Sequence, residues 1–352
     1  WVEGRCHAHH PALYRWLHFG RDAAVVEPLT AGPAHHFFGY YDKSPWSADG
    51  RWLLSHEASF NDRAPGADDR IGIGVLAADG QGARRFERLA TGSAWNWQQG
   101  AMANWFPLGG ERRFTYNDRR QGRFVAVLHE VGGSEVGELE RPLYASLPDG
   151  RWGFSLNFAR LAVHRPGYGY AGGTDEHADD PQPAADGIWR VDLASGRSEL
   201  VVPLAALAAR DPKPSMAGAW HYVNHIQPSR GGRRIAFFHI WHRDAKSWEV
   251  RLYTCRPDGS ELTCLLDTGF VSHYDWQDDE RILVWANRPG APARFLHVAH
   301  PAVPGTAAPF EVFGGEALRE DGHCTFSPDG RWVLNDTYPD GHHKRTLMLV
   351  RA

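Results

Sequence analysis

A short polar turn, followed by arginine and a run of apolar and aromatic residues, recurs six times along the chain. Such runs have high strand propensity. The anchoring arginines stand 61, 39, 82, 48 and 50 residues apart, at Arg51, Arg112, Arg151, Arg233, Arg281 and Arg331. Self-similarity near this period, with about four strands per unit, is typical of a β-propeller. The sequence therefore predicts an all-β propeller of four-stranded blades, of which six can be counted.

Within a repeat, the strand before the turn is predicted to be innermost and the strand after it second. Third strands are predicted at residues 122–131, 187–196 and 250–259. The last repeat lacks an outer strand, whereas residues 23–30 form a predicted strand that belongs to no repeat. We therefore expect a strand near Val25–Leu29 to pair beside one near Leu347–Val350 and to close the propeller between the termini.

A single propeller domain is predicted over residues 23–352, after an N-terminal extension of residues 1–22. A loop insertion rich in glycine, aspartate and proline is expected at about 164–187. One short helix is predicted at 204–210, and the second strand of the third repeat is expected to end at Arg160.

Composition narrows the classes of function. The chain has 38 Lys and Arg against 42 Asp and Glu, a formal charge of −4, which argues against a nucleic-acid-binding role. It contains no apolar run of eighteen residues, and charged residues interrupt its first 22, so neither a membrane span nor a signal peptide is expected. Cys255 and Cys264 flank a predicted turn. They could form a disulfide across the hairpin or remain two free thiols. The disulfide would place the protein in an oxidising compartment, and a periplasmic or secreted location is expected.

Three histidines occupy the same position of the repeat, eight residues before the anchoring arginine: His225, His273 and His323. A shared position near the start of an innermost strand should bring the three imidazoles together. Three imidazoles with a further ligand or water suit Zn²⁺, with Mn²⁺ or Ca²⁺ as alternatives. We therefore predict a structural or site-organising metal ion. The other interpretation is that these histidines bond to nearby backbone, and His239 and His242 are alternative ligands.

A titratable histidine, a phenol and a guanidinium that face one cleft would suit proton abstraction beside a carboxylate. The candidates are His36, His56, Tyr144 and Arg160. The arginine would neutralise the carboxylate. His36, His56 or an ionised Tyr144 would take the proton, and Tyr144 or the second histidine would protonate the leaving oxygen. Alternatively, the tyrosine is a core aromatic and Arg160 forms a structural ion pair.

Five stretches carry a family resemblance: HHFFGYYDKSPWSADGRWLL, SLNFARL, NHIQPSRGGRRIAFFHIWHR, VSHYDW and DGHCTFSPDGRWVLNDTYPD. They resemble the β-propeller polysaccharide lyases, most closely the ulvan lyases and more distantly the oligogalacturonate lyases. The resemblance implies seven blades, a metal held by histidines, and β-elimination at a uronic acid. It also implies that His36, His56, Tyr144 and Arg160 form the catalytic site. Substrate contacts are assigned to Tyr41, Lys43, Asn104 and Asn157.

The sequence thus favours a polysaccharide lyase that cleaves a glycosidic bond at a uronic acid and leaves an unsaturated uronate. Its expected partner is a uronate-containing polysaccharide or oligosaccharide. A non-catalytic propeller that binds glycan or scaffolds a complex is the alternative from another class. A glycoside hydrolase would need a pair of carboxylates, and no convincing pair is found.

Overall fold

The structure is a computed structural model that describes residues 26–78, 84–107, 112–244, 247–276, 278–288, 291–299, 310–313, 324–326, 332–336 and 347–351. The strands are β1 (Val26–Pro28), β2 (His35–Phe37), β3 (Trp52–Ala58), β4 (Ile71–Ala77), β5 (Glu87–Gly92), β6 (Asn104–Trp105), β7 (Arg113–Arg120), β8 (Arg123–Glu130), β9 (Glu135–Leu139), β10 (Ala145–Ser146), β11 (Trp152–Ser155), β12 (Gly187–Asp192), β13 (Ser198–Pro203), β14 (Trp220–Pro228), β15 (Ile235–Asp244), β16 (Ser247–Cys255), β17 (Thr263–Gly269), β18 (Val271–Trp276), β19 (Arg281–Arg288), β20 (Ala291–Ala299), β21 (Phe310–Phe313), β22 (Cys324–Phe326), β23 (Trp332–Asp336) and β24 (Leu347–Arg351). The helices are α1 (Phe158–His164), α2 (Leu204–Ala209) and a 3₁₀ turn at Pro214–Met216.

The described residues divide into two compact units. The first comprises those of residues 1–119, 127–137 and 320–352, and the second those of 120–126 and 138–319. The first unit holds the sheets β2-β3-β4-β5 and β1-β24-β23-β22 and most of β6-β7-β8-β9. The second holds β10-β11-β12-β13, β14-β15-β16-β17 and β18-β19-β20-β21.

Six four-stranded sheets are therefore present among the described residues, in agreement with the six countable repeats. The predicted third strands are β8, β12 and β16, each third in its sheet. The N-terminal strand pairs with the C-terminal one as predicted, with Val26 opposite Val350 and Glu27 opposite Leu349. None of the described helices is long and apolar enough to cross a membrane.

The recurring turn has one geometry in the first, third and fourth repeats. Gly50, Gly150 and Gly232 all have φ close to +70°, a left-handed conformation that favours glycine. Each donates its N–H to the carbonyl three residues earlier at 2.9 Å. At the first of these turns the Asp49 carboxylate also accepts the N–H of Arg51 at 3.0 Å. In these three described repeats the motif recurs because the same backbone turn is made.

The segment that leads to Arg160 differs from the prediction. Strand β11 ends at Ser155, and Arg160 lies on helix α1 rather than on a strand. Asn157 caps this helix, since its Oδ1 accepts the N–H of Arg160 at 2.9 Å. Phe158 and Leu161 are buried at helical spacing, so the helix covers its apolar side. The predicted helix at 204–210 is confirmed as α2.

Cys255 and Cys264 are both free thiols. They lie on adjacent strands, but Cys264 is opposite Tyr253 rather than Cys255. Of the two alternatives for this hairpin, the structure shows the free thiols.

Candidate active site

The four predicted catalytic residues are divided between the two units. His36 and His56 belong to the first unit, on β2 and β3, and Tyr144 and Arg160 belong to the second. Each pair is therefore described within its own unit, and their common cleft stays a prediction.

His56 is fully buried, and both of its ring nitrogens are used inside the fold. Nδ1 lies 3.2 Å from the Phe37 carbonyl, and Nε2 accepts the N–H of Ala101 at 3.1 Å. A Cβ at Gly100 would come within 2.3 Å of the ring, so this close approach needs glycine. Burial lowers the pKa of His56 to about 4. In this conformation His56 is a neutral core histidine with neither nitrogen available to a substrate.

This burial predicts a pH-dependent stability. The unfolded chain binds a proton at His56 below pH 6.5, whereas the folded chain does so only near pH 4. We expect this difference in pKa to contribute about 3 kcal/mol to the unfolding free energy at pH 7. That contribution is lost as the pH falls from 6.5 to about 4. Urea unfolding of the wild type and His56→Gln at several pH values between 4 and 7 measures the effect. Equal pH slopes in the two proteins would contradict it.

His36 is buried beside a carboxylate. Its Nε2 lies 3.3 Å from Glu57 Oε2, and Glu57 Oε1 accepts from Arg88 Nε at 3.0 Å. Burial lowers the pKa of His36, and the Glu57 charge partly opposes that effect. Glu57 and Arg88 line an open groove of about 800 Å³ together with Trp52. Glu57 therefore connects His36 to the wall of this groove.

Three predicted substrate contacts also lie in the first unit. Lys43 Nζ donates to Asp42 Oδ2 at 2.5 Å, and both side chains are 5% exposed. The Tyr41 ring packs 4.6 Å from that of Tyr40. Asn104 is half-buried on β6, opposite Thr115. Substrate binding by these residues stays a prediction.

Tyr144 is buried in the second unit and is bonded to β14. Its hydroxyl donates to Asn224 Oδ1 at 3.2 Å and accepts the N–H of His225 at 3.1 Å. Its ring stacks on that of Phe158 in α1. Tyr144 is 1% exposed, and its contacts join β14 to helix α1.

Arg160 is also 1% exposed, and all five of its N–H donors are engaged. Its guanidinium donates to the Asp175 carboxylate and to four main-chain carbonyls, those of His177, Asp180, Pro181 and His221. Asn157 holds the same loop, since its Nδ2 donates to Asp175 and to Asp186 at 2.8 Å. These are the contacts of a structural ion pair that fastens the insertion to α1 and β14. They leave Arg160 without a donor for a substrate carboxylate in this conformation.

The predicted metal ligands are described in part. His225 and His273 have φ of 57° and 39°, and each lies at a shift in strand register. Such a backbone is uncommon for residues other than glycine and often marks a functional position. His323 lies outside the described residues, and the described part of the chain holds no group of three or more His, Cys, Asp or Glu that could bind a metal. Two of the three predicted ligands do not make a site, so the zinc ion stays a prediction and no step below uses it.

A group of side chains surrounds the C-terminal end of α1, and the sequence analysis named only one of its members, His242, as an alternative metal ligand. We call it the α1-end cluster; its members are His164, Arg165, Tyr168, Trp220, Tyr222, His242 and Trp248. The His164 ring stacks on Trp220 at 5.0 Å, and it lies 5.2 Å from His242 and 6.3 Å from Tyr222. Trp220 and His242 are opposite each other on β14 and β15, so their side chains share one face of the sheet. The members come together only in the folded chain, although the His-Arg pair two residues after SLNFARL was a visible signal.

Arg165 is the cation of this cluster. Its guanidinium carbon lies 5.2 Å from the Tyr168 ring centre and 4.9 Å from that of Trp248. The side chain is half-buried, and it makes no ion pair or hydrogen bond with any of the residues that the structure describes. An arginine held by aromatic rings, with no described acid beside it, is suited to bind an anionic ligand.

Burial sets the protonation states of two other members. It lowers the pKa of His164 to about 4, and the charge of Arg160 acts in the same direction. It raises the pKa of Tyr222, which is 2% exposed. At neutral pH the cluster therefore holds a neutral imidazole, a protonated phenol and a guanidinium cation. The Tyr168 ring also lies 5.4 Å from that of His225, so the cluster adjoins one predicted metal ligand.

The fold is similar to that of an oligogalacturonate lyase from Vibrio parahaemolyticus, with a TM-score of 0.57, 12% identity and 94% of each chain covered. The chain has a β-propeller fold. The β-propeller domain of the Trilobed protease from Pyrococcus furiosus matches at a TM-score of 0.43 and 11% identity, over 89% of this chain and 83% of that one. A puromycin-hydrolysing peptidase from Mycobacterium tuberculosis matches at 0.44 and 16%, over 89% of this chain and 45% of that one.

Comparison with protein-family models and with curated protein sequences finds no match. The match to the oligogalacturonate lyase does not support the nearer resemblance to the ulvan lyases. At 12% identity, the likeness to the oligogalacturonate lyase shows the fold and not the activity.

Proposed function

We propose that this protein is a polysaccharide lyase that cleaves a glycosidic bond at a uronic acid by β-elimination. The observation that carries the proposal is Arg165, a half-buried cation without a described acid partner, beside the neutral His164 and the protonated Tyr222. These three groups are what an elimination next to a carboxylate requires.

In the proposed reaction, Arg165 binds the uronate carboxylate and so stabilises the charge that develops when C5 loses its proton. An imidazole nitrogen takes that proton, and the C5–H electron pair forms the C4–C5 double bond. The bond from C4 to the leaving oxygen breaks, and the Tyr222 hydroxyl donates a proton to that oxygen. Proton transfer through solvent returns the imidazolium and the tyrosinate to their starting forms.

The cluster takes over roles that the sequence analysis assigned to other residues. Arg165 replaces Arg160 as the carboxylate-binding group because every donor of Arg160 is engaged. Tyr222 replaces Tyr144 because the described part of the chain offers its hydroxyl no hydrogen bond, whereas that of Tyr144 bonds to β14.

A non-catalytic glycan-binding propeller is the second candidate. Tyr168 and Trp248 are half-buried aromatic side chains beside the Arg165 cation, and the half-buried Trp220 stacks on His164. Such aromatic faces can stack on sugar rings without any chemistry.

A panel of uronic-acid polysaccharides distinguishes the two candidates. We expect at least one polymer to develop the ultraviolet absorbance of a C4–C5 double bond in an unsaturated uronate, with new reducing ends in equal number. Binding of a polymer without either signal would favour the glycan-binding module. New reducing ends without the absorbance would indicate hydrolysis instead and contradict the lyase proposal.

A further inference from the structure

Two histidines of the α1-end cluster form a hydrogen-bonded chain with a main-chain carbonyl. His242 Nδ1 lies 3.1 Å from the carbonyl oxygen of Asp244, and His242 Nε2 lies 3.1 Å from His164 Nδ1. A carbonyl can only accept, so His242 Nδ1 carries a proton. A neutral imidazole has one N–H, and His242 Nε2 is then an acceptor. His164 Nδ1 must therefore donate, which leaves the lone pair of His164 on Nε2.

The other ring nitrogen of His164, Nε2, is available to accept a proton. His164 Nε2 has no hydrogen bond to any residue within the described ranges. Stacking on Trp220, with 22° between the planes, fixes the orientation of the ring. The arrangement is that of a general base whose tautomer is set by a second group.

We propose that His164 is the proton-accepting catalytic residue and that His242, bonded to the Asp244 carbonyl, is the positioning residue that keeps the lone pair on Nε2. This inference rests on the proposed lyase function. It names the base that the sequence analysis sought at His36 or His56.

The surroundings keep His164 in its accepting form. Burial and the charge of Arg160 lower its pKa, and the Asp175 charge opposes them. Arg165 is the next residue, and Tyr222 packs against the ring. A uronate carboxylate bound at Arg165 would add a negative charge nearby. That charge would favour the imidazolium that forms when His164 takes the proton.

Nitrogen-15 NMR of the histidine side chains tests the chain without any substrate. At pH 7 the wild-type protein should show His164 protonated on Nδ1 and unprotonated on Nε2. His242→Ala removes the acceptor, so His164 should then exchange between its two tautomers. His242→Gln offers an amide oxygen in its place and should restore the Nδ1–H form. His177→Ala changes a histidine of the same unit outside the chain and should leave the His164 signals unchanged.

Kinetics on a polymer from the panel supplies the second readout. His242→Ala should lower kcat about 10–100-fold with little change in KM, and His242→Gln should recover part of the loss. A wild-type His164 that carries its proton on Nε2, or both protons, would overturn the positioning chain even in an active lyase. The expected tautomer without elimination of any polymer would overturn the catalytic role together with the lyase function. The expected tautomer with full activity in His242→Ala would overturn the positioning role.

Discussion

Replacement of Tyr222 by Phe is expected to lower turnover of a uronate polymer about 10²–10⁴-fold, the usual cost of losing a general acid–base group. Only the hydroxyl is removed, and none of the described residues bonds to it, so the unfolding free energy should change little. Burial raises the pKa of Tyr222, which keeps its proton in place until the leaving oxygen takes it. We therefore expect the loss in kcat, with KM close to that of the wild type.

The same replacement at Tyr144 shows which of the two tyrosines is the proton donor. Tyr144→Phe removes a buried hydroxyl that bonds to Asn224 and to the N–H of His225, which should cost about 1–3 kcal/mol of stability. Turnover should remain within a few-fold of the wild type. Single-turnover rates and thermal melting of both variants make the comparison. A large rate loss in Tyr144→Phe, with none in Tyr222→Phe, would return the acid role to Tyr144.

Replacement of Arg165 by Ala is expected to lower kcat/KM about 10²–10³-fold, as for loss of a group that stabilises developing charge. The guanidinium contacts the uronate carboxylate both before and during proton removal, so KM should rise and kcat should fall. Arg165→Lys keeps the charge but loses the planar, bidentate contact, and it should recover only part of the loss.

Arg197→Ala is the matched control for this experiment. Arg197 is an exposed arginine of the same unit, and its side chain makes no hydrogen bond or ion pair with the described part of the chain. Its removal changes the net charge equally and should leave kcat/KM unchanged. Equal effects of the two variants would show that general electrostatic attraction, rather than a carboxylate contact at Arg165, accounts for the loss.

The blades could be predicted because their turns are local. Gly50 and Asp49 meet the backbone and hydrogen-bond requirements of the turn within a few residues, so the motif marks each hairpin in the sequence. Pairing of Val26 with Val350 could also be anticipated, since a strand left over at each end must find a partner. Helix α1 was missed because FSLNFAR has enough aromatic character for a strand, and the cap at Asn157 decides otherwise.

The sequence by itself determined the blades of this protein, because each repeat contains its own turn and strands. It also identified chemically capable residues, among them His56 and Arg160. Only the tertiary structure decided what those residues do, because burial and hydrogen-bond partners come from distant segments. His56 meets the backbone of Ala101, and Arg160 is saturated by carbonyls of the insertion and of β14. The long-range pairing of β14 with β15 also contributes to the α1-end cluster, in which His164 meets a histidine more than seventy residues away.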